Sequence, residues 1–194
     1  MPSMKRTQQS TALLLALSLG LGSTLPFQGS LLQPAAVVAQ TSQFPDVPSN
    51  YWATGFINEL VNRGIIAGFP DGSFRPDAPV TRAQFAAMVQ KALPKSQDRN
   101  AINFVDVPSS YWAFNAINNA YEMGFLSGYP GQVFRPEQNI PREQVLVALA
   151  NGLNYSARNN INTTLGYYQD AANIADFARS PIAAATEQKM VVNY

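Results

Sequence analysis

Two arginines, Arg82 and Arg142, stand sixty residues apart, each one residue inside the predicted start of a helix. A helix start carries free amides and the positive end of the helix dipole, so an anion is favoured there. A guanidinium adds a planar fork that meets a carboxylate through two parallel hydrogen bonds. Two further pairs share the same spacing, Trp52 with Trp112 and Gly68 with Gly128. Each tryptophan offers a flat apolar face able to pack on a sugar ring, although a tryptophan that opens an amphipathic helix reads first as core. Glycine lets backbone amides approach a ligand closely. Spacing alone leaves Arg82 open between a ligand contact and a solvated helix start.

These pairs belong to a repeat. Residues 44–93 and 104–153 superpose without a gap and share Phe44/Phe104, Asp46/Asp106, Tyr51-Trp52/Tyr111-Trp112, Gly64/Gly124, Gly68/Gly128, Phe74-Arg75-Pro76/Phe134-Arg135-Pro136 and Arg82/Arg142. A fixed-period match of this kind marks a repeat protein. Trp52, Phe56, Ile57, Leu60 and Val61 have the spacing of a one-faced helix, and Gly64 sits where a glycine stops one. Pro70-Asp71-Gly72 is turn chemistry, with Asp71 an Asx-turn former or a ligand partner and the turn favoured. A second helix begins at Thr81, which forms a capping box with Gln84. In the second copy Pro141 replaces Thr81 and Asn139 is the expected, weaker cap. Asp46 and Asp106 read as caps of the segment that follows, and Arg75 and Arg135 as solvated turn residues.

Residues 1–39 read as a signal peptide. Lys5 and Arg6 precede the apolar run Thr11–Leu21, which is too short to span a bilayer, and a small-residue cleavage point follows at Ala39. The whole chain carries 13 Lys+Arg against 12 Asp+Glu, for a net charge of +1; losing Lys5 and Arg6 makes it −1. A near-neutral chain without a basic run is a poor nucleic-acid binder. There is no cysteine and no histidine, so disulfides, Cys/His zinc sites and histidine-based nucleophile chemistry are excluded.

Residues 94–103 and 154–167 read as polar linkers, and 168–194 as the first half of a third copy. Tyr168 and Asp170 match Phe44 and Asp46, and Phe177-Ala178 and Ile182 match Trp52-Ala53 and Ile57, with a helix predicted from Ser180-Pro181. No counterpart of the second helix is present. An open bundle is therefore expected to expose Phe85, Val89, Leu93, Val145 and Leu149, and to leave the fragment marginally stable or self-associating.

The wording F-x-D-V-P-x-x-Y-W-A, then G-I-I-x-G-F-P-D-G-x-F-x-P, then T-R-A-Q, resembles the S-layer homology family. The resemblance is close over 44–93, good over 104–153, where P-R-E-Q stands for T-R-A-Q, and confined to a first half over 168–194. It implies an all-α fold of tandem helix-loop-helix repeats packed as an incomplete pseudo-trimeric bundle, with ligand grooves between neighbouring repeats. It implies non-catalytic binding of peptidoglycan-linked, often pyruvylated, cell-wall polysaccharide by an exported envelope protein with no transmembrane segment in the mature chain. The contacts it points to are Arg82, Arg142, Trp52, Trp112, Gly68, Gly128, Thr81 and Asp71. The alternative is a structural module that assembles with itself or another envelope protein and binds no sugar. Losing Arg82 is expected to weaken wall binding more than losing Arg142, with the fold intact. No metal, cofactor or enzyme activity is expected: Asp71 and Asp77 lack the alternating ligands of a calcium loop, and the recurring acids read as turn residues.

Overall fold

The structure, a computed structural model, describes residues 43–191, so the proposed signal peptide lies outside the described residues. Six helices follow in order: α1 Thr54–Asn62, α2 Arg82–Ala92, α3 Phe114–Glu122, α4 Arg142–Gly152, α5 Ile161–Leu165 and α6 Asp176–Glu187. The described part holds no strand beyond two isolated bridges, and the all-α class follows. None of the described helices is long and apolar enough to cross a membrane.

Local chemistry sets most boundaries. Thr81 and Gln84 form the capping box of α2: the Gln84 amide donates to the Thr81 hydroxyl at 3.2 Å, and the Thr81 amide donates to Gln84 Oε1 at 2.9 Å. The expected cap of α4 by Asn139 is absent; Pro141 occupies the cap position with no side-chain bond. Gly64 and Gly124 turn the chain out of α1 and α3 at φ +67° and +80°, where a side chain would be strained. The end of α6 repeats the move with Lys189 at φ 57°. This helix begins at Asp176 and runs through Pro181, several residues earlier than the sequence indicates. An acidic residue in the first turn suits the dipole, and the added turn brings Ala178 into the core. The second polar segment contains α5, capped by the Asn160 side chain, which accepts from the Thr163 amide.

The packing units do not coincide with the sequence copies. Helix α2 packs on α3, and α4 packs on α6, so the second helix of one copy pairs with the first helix of the next. The largest core joins Ala83, Phe85, Ala86 and Val89 of α2 to Phe104, Ile117 and Phe134 of the second copy. Helix α1 is the first helix without such a cover, and its Phe56 is 62% exposed, whereas the matching Ala116 on α3 is buried. The expected exposed patch on α2 and α4 is corrected by this pairing. Phe85 and Val89 are buried, and Leu93, Val145 and Leu149 pack half-buried on the same core.

The first linker is a clamp. The amides of Asp98 and Arg99 both donate to the Glu122 carbonyl, at 2.7 and 3.0 Å, and tie down the open end of α3. Lys95 bridges Asp98 and the Gly152 carbonyl. The second linker is tied by Glu187, whose carboxylate accepts from the amides of Arg158 and Asn159.

Three carboxylates are held below their ordinary range by bonds to the folded chain. Asp46 is lowered by the Phe74 amide and then the Arg75 amide, and Glu187 by the Arg158 and Asn159 amides. Asp71 is lowered by the Ser73 hydroxyl, then the Ser73 amide and the Arg75 side chain. A depressed carboxylate binds fewer protons folded than unfolded, so its stabilisation is present above the unfolded value and lost as pH falls through the folded one. With no histidine to titrate near neutrality, the melting temperature should stay level from about pH 8 to about pH 5 and fall below about pH 4. Thermal melts across that range check this; a midpoint unchanged at about pH 3 would show these bonds to be irrelevant to stability.

Candidate functional site

The loop that follows each first helix is built by one repeated device. In the second copy Arg135 adopts a left-handed φ of 60°, which costs about 1 kcal/mol for a residue with a side chain. The twist turns two successive amides, of Phe134 and Arg135, toward the Asp106 carboxylate, which accepts both at 2.7 and 2.6 Å. In the first copy Arg75 at φ 58° and Asp46 do the same with Phe74 and Arg75. Asp46 and Asp106 therefore do not cap a neighbouring segment; each reaches 28 residues along the chain to fix a loop. The two arginines earn the left-handed position by lying over rings, Arg75 at 4.2 Å from Phe69 and Arg135 at 4.4 Å from Tyr129.

Arg82 is placed between copies, not at the surface. It is 4% exposed. Its Nε donates to the Phe134 carbonyl at 2.9 Å and its Nη2 to the Ser127 carbonyl at 2.7 Å, with the Phe134 and Tyr129 rings alongside. Burial pushes its pKa down, partly countered by Tyr129 and Asp106. The first amides of α2 are also used: Arg82 donates to the Gln138 carbonyl at 2.9 Å and Ala83 to the Pro136 carbonyl at 3.0 Å. The free helix start that sequence offers to an anion is thus occupied by the next copy of the same chain. Arg142 differs. It is exposed, at the edge of a hollow of about 600 Å³ that Tyr168, Asp170 and Ile182 also line.

The glycines serve packing. A Cβ on Gly68 would lie 2.3 Å from the Phe44 ring, and one on Gly128 would lie 2.4 Å from the Phe104 ring. Each glycine admits a neighbouring aromatic ring, where sequence suggested a ligand. Asp71 is the expected turn former: it accepts from the Ser73 amide at 3.0 Å and pairs with Arg75 at 2.6 Å.

The tryptophans are not core. Trp52 is 61% and Trp112 64% exposed, and Phe177, at the same register of the third copy, is 62% exposed. Their helices bury the opposite side, Ala53 and Ile57 or Ala113 and Ile117. Trp112 lines a groove of about 250 Å³ together with Phe69, Arg75, Pro76 and Gln84 of the first copy. Tyr111 packs its ring 5.8 Å from Trp112 and donates to Glu137. Burial first, then that bond, pushes the Tyr111 phenol up to about 12. The groove thus brings together an exposed aromatic ring, a guanidinium and an amide side chain. The sequence reads Arg75 as a solvated turn residue and does not single out Phe69; the sequence signal for them is recurrence as Phe69/Tyr129 and Arg75/Arg135. No group of three or more acids arranged to hold a metal occurs among the described residues.

Comparison with known proteins agrees with this architecture. Residues 43–86 and 103–146 each match the family described as S-layer homology domain. The chain is 32% identical over 165 residues to an exoglucanase, XynX, of Acetivibrio thermocellus, a match covering 82% of this chain and 15% of that protein. It is 33% identical over 112 residues to a cellulosome-anchoring protein of the same organism, covering 56% of this chain and 25% of that one. It is 33% identical over 129 residues to the S-layer protein EA1 of Bacillus anthracis, covering 66% and 15%. The chain spans no more than a quarter of the length of these relatives. Two matched copies, each with an aspartate-held loop and a second helix packed on the next first helix, make this chain a member of the S-layer homology family.

Proposed function

We propose that this chain anchors the protein that carries it to the bacterial cell envelope, by non-catalytic binding of an acidic polysaccharide linked to peptidoglycan. The observation that carries the reading is the set of exposed rings, Trp52, Trp112 and Phe177, at one register of three copies. Core packing gives no reason to keep a large apolar ring at that position. A sugar ring stacks on such a face, and Arg75, which lines the same groove, meets a carboxylate substituent such as a pyruvate ketal through the guanidinium donors that its pair with Asp71 leaves over. The names of the relatives, an S-layer protein and a cellulosome-anchoring protein, fit an anchoring role. Export, with residence in the periplasm, cell wall or cell surface, follows from the signal-like segment and this role.

Catalysis is not part of the proposal. Asp46, Asp106 and Asp71 are each committed to amides of their own loops, so none is poised for acid–base work. The test is Trp112→Ala in a sacculus-binding assay. Affinity should fall about tenfold, or ~1.4 kcal/mol, with the unfolding free energy changed by less than about 0.5 kcal/mol because the ring is at the surface. Unchanged affinity in a variant lacking all three rings would remove the platform from the account. The other reading, an assembly module, draws on a separate observation, the hollow of about 600 Å³ beside Arg142 with its apolar side chains Leu146, Ile174 and Ile182.

A further inference from the structure

An exposed ring binds a flat ligand more tightly when it is held still beforehand, because binding then has less to order. Trp112 is exposed and has Tyr111 beside it, the two rings 5.8 Å apart at an interplanar angle of 42°. Tyr111 is half-buried against the largest core, and its hydroxyl donates to the Glu137 carboxylate. Burial and that carboxylate push the phenol up to about 12, so the donor proton stays on through neutral and moderately alkaline solution. Glu137 itself is exposed, but it stands on a fixed segment. Its neighbours Pro136 and Gln138 supply the carbonyls that accept the first amides of α2, from Ala83 at 3.0 Å and from Arg82 at 2.9 Å. Helix α2 also carries Gln84, which lines the groove together with Trp112. The Tyr111–Glu137 bond therefore ties the residue beside the tryptophan to the joint between the copies that form the groove.

The other copies lack this bond. In the first copy the ring pair is the same, Tyr51 and Trp52 at 5.8 Å and 43°. Asp77 stands in place of Glu137 and is one methylene shorter. Among the described residues the Tyr51 hydroxyl makes no hydrogen bond to it. In the third copy Asp176 precedes Phe177, where a tyrosine precedes the ring in the other two. The shared ring angle of the first two copies shows that the bond does not create the ring pair. What it adds in the second copy is a tether across 26 residues of chain.

We propose that Tyr111 and Glu137 are positioning residues, whose bond holds the Trp112 ring in place as a sugar platform and which act through that ring, not on the saccharide. The ligand is the one named under the anchoring reading above, and the inference rests on that reading. The bond is specific to the second copy, so the residue that the first copy carries, aspartate, is the natural substitution that breaks it. Glutamine keeps the length and an acceptor oxygen and is the substitution that preserves it.

The test reads ring motion and binding separately. The chain has 2 tryptophans, so in Trp52→Phe time-resolved fluorescence anisotropy reports Trp112 alone. In that background Tyr111→Phe, Glu137→Ala and Glu137→Asp should each add a fast local rotation of the ring, and Glu137→Gln should add the least. With Trp52 retained, Glu137→Ala and Glu137→Asp should weaken binding to native sacculi about threefold, and Glu137→Gln should restore most of it. Because Glu137 is exposed, the melting temperature of its variants should stay within about 2 °C of the unaltered chain. Ring motion unchanged by Tyr111→Phe and Glu137→Ala overturns the tether. A loosened ring with unchanged binding, or binding that falls only in step with the melting temperature, overturns the positioning role. Failure of the unaltered chain to bind native sacculi overturns the anchoring reading instead, and the positioning role falls with it.

Discussion

Arg82→Ala is expected to lower the unfolding free energy by about 3 kcal/mol, while Arg142→Ala changes it by less than about 0.5 kcal/mol. The two arginines are equivalent in sequence and opposite in environment. Removing the Arg82 side chain strands the Phe134 and Ser127 carbonyls at a buried boundary. A stranded buried acceptor costs about 1–3 kcal/mol, and the lost contact with the Phe134 and Tyr129 rings adds about 0.5–1 kcal/mol. The expectation that Arg82 can be removed with the fold intact is corrected accordingly. Arg142 is exposed and touches no such acceptor. Urea titrations of both variants decide the matter, and equal, small effects would mean that Arg82 does not hold the copies together. A fall in wall binding by Arg82→Ala must then be read beside the folded fraction.

Asp106→Ala should cost about 2–3 kcal/mol, and Asp46→Ala clearly less. Both carboxylates hold two amides of a left-handed turn. They differ in what the turn carries. In the second copy it presents Phe134, fully buried, to the largest core. In the first it presents Phe74, half-buried beside a small cluster. Without Asp106 the two amides lose their acceptor, and only the Tyr129 ring is left to offset the cost of φ 60° at Arg135. Asp106→Asn keeps one acceptor oxygen and should lie between. Denaturant titration with amide exchange at Phe134 reads the effect; protection unchanged in Asp106→Ala would show that the core holds the loop unaided.

The sequence made the local chemistry legible. The Thr81–Gln84 box, the Asp71 turn and the stops at Gly64 and Gly124 depend on residues within a few positions of one another, and all are formed. What it hid depends on distance along the chain. Nothing local says that Arg82 reaches Ser127 and Phe134, or that Asp46 crosses 28 residues to Phe74. The repeat boundary itself misled, because the pattern marks copies while the core forms across them, α2 on α3 and α4 on α6. Trp52 and Trp112 were misread for a related reason. Their spacing from Phe56 and Ile57 or from Ile117 shows a helix, yet Trp52 and Trp112 lie just before the helical residues Thr54 and Phe114, where the chain has not yet joined the buried stripe. At Gly68 and Gly128 the structure supplies a reason that the sequence did not show, the close approach of a phenylalanine ring. Of the candidate site, the rings were legible as residues and their exposure was not.

The central claim is that the chain binds wall polysaccharide through exposed rings. The direct measurement is co-sedimentation of the purified chain with peptidoglycan sacculi, native or stripped of their linked polysaccharide. The account predicts saturable binding to native sacculi, loss of most of it on stripped sacculi, and loss of most of it in the variant lacking Trp52, Trp112 and Phe177. Equal binding to native and stripped sacculi, or none to either, would contradict it.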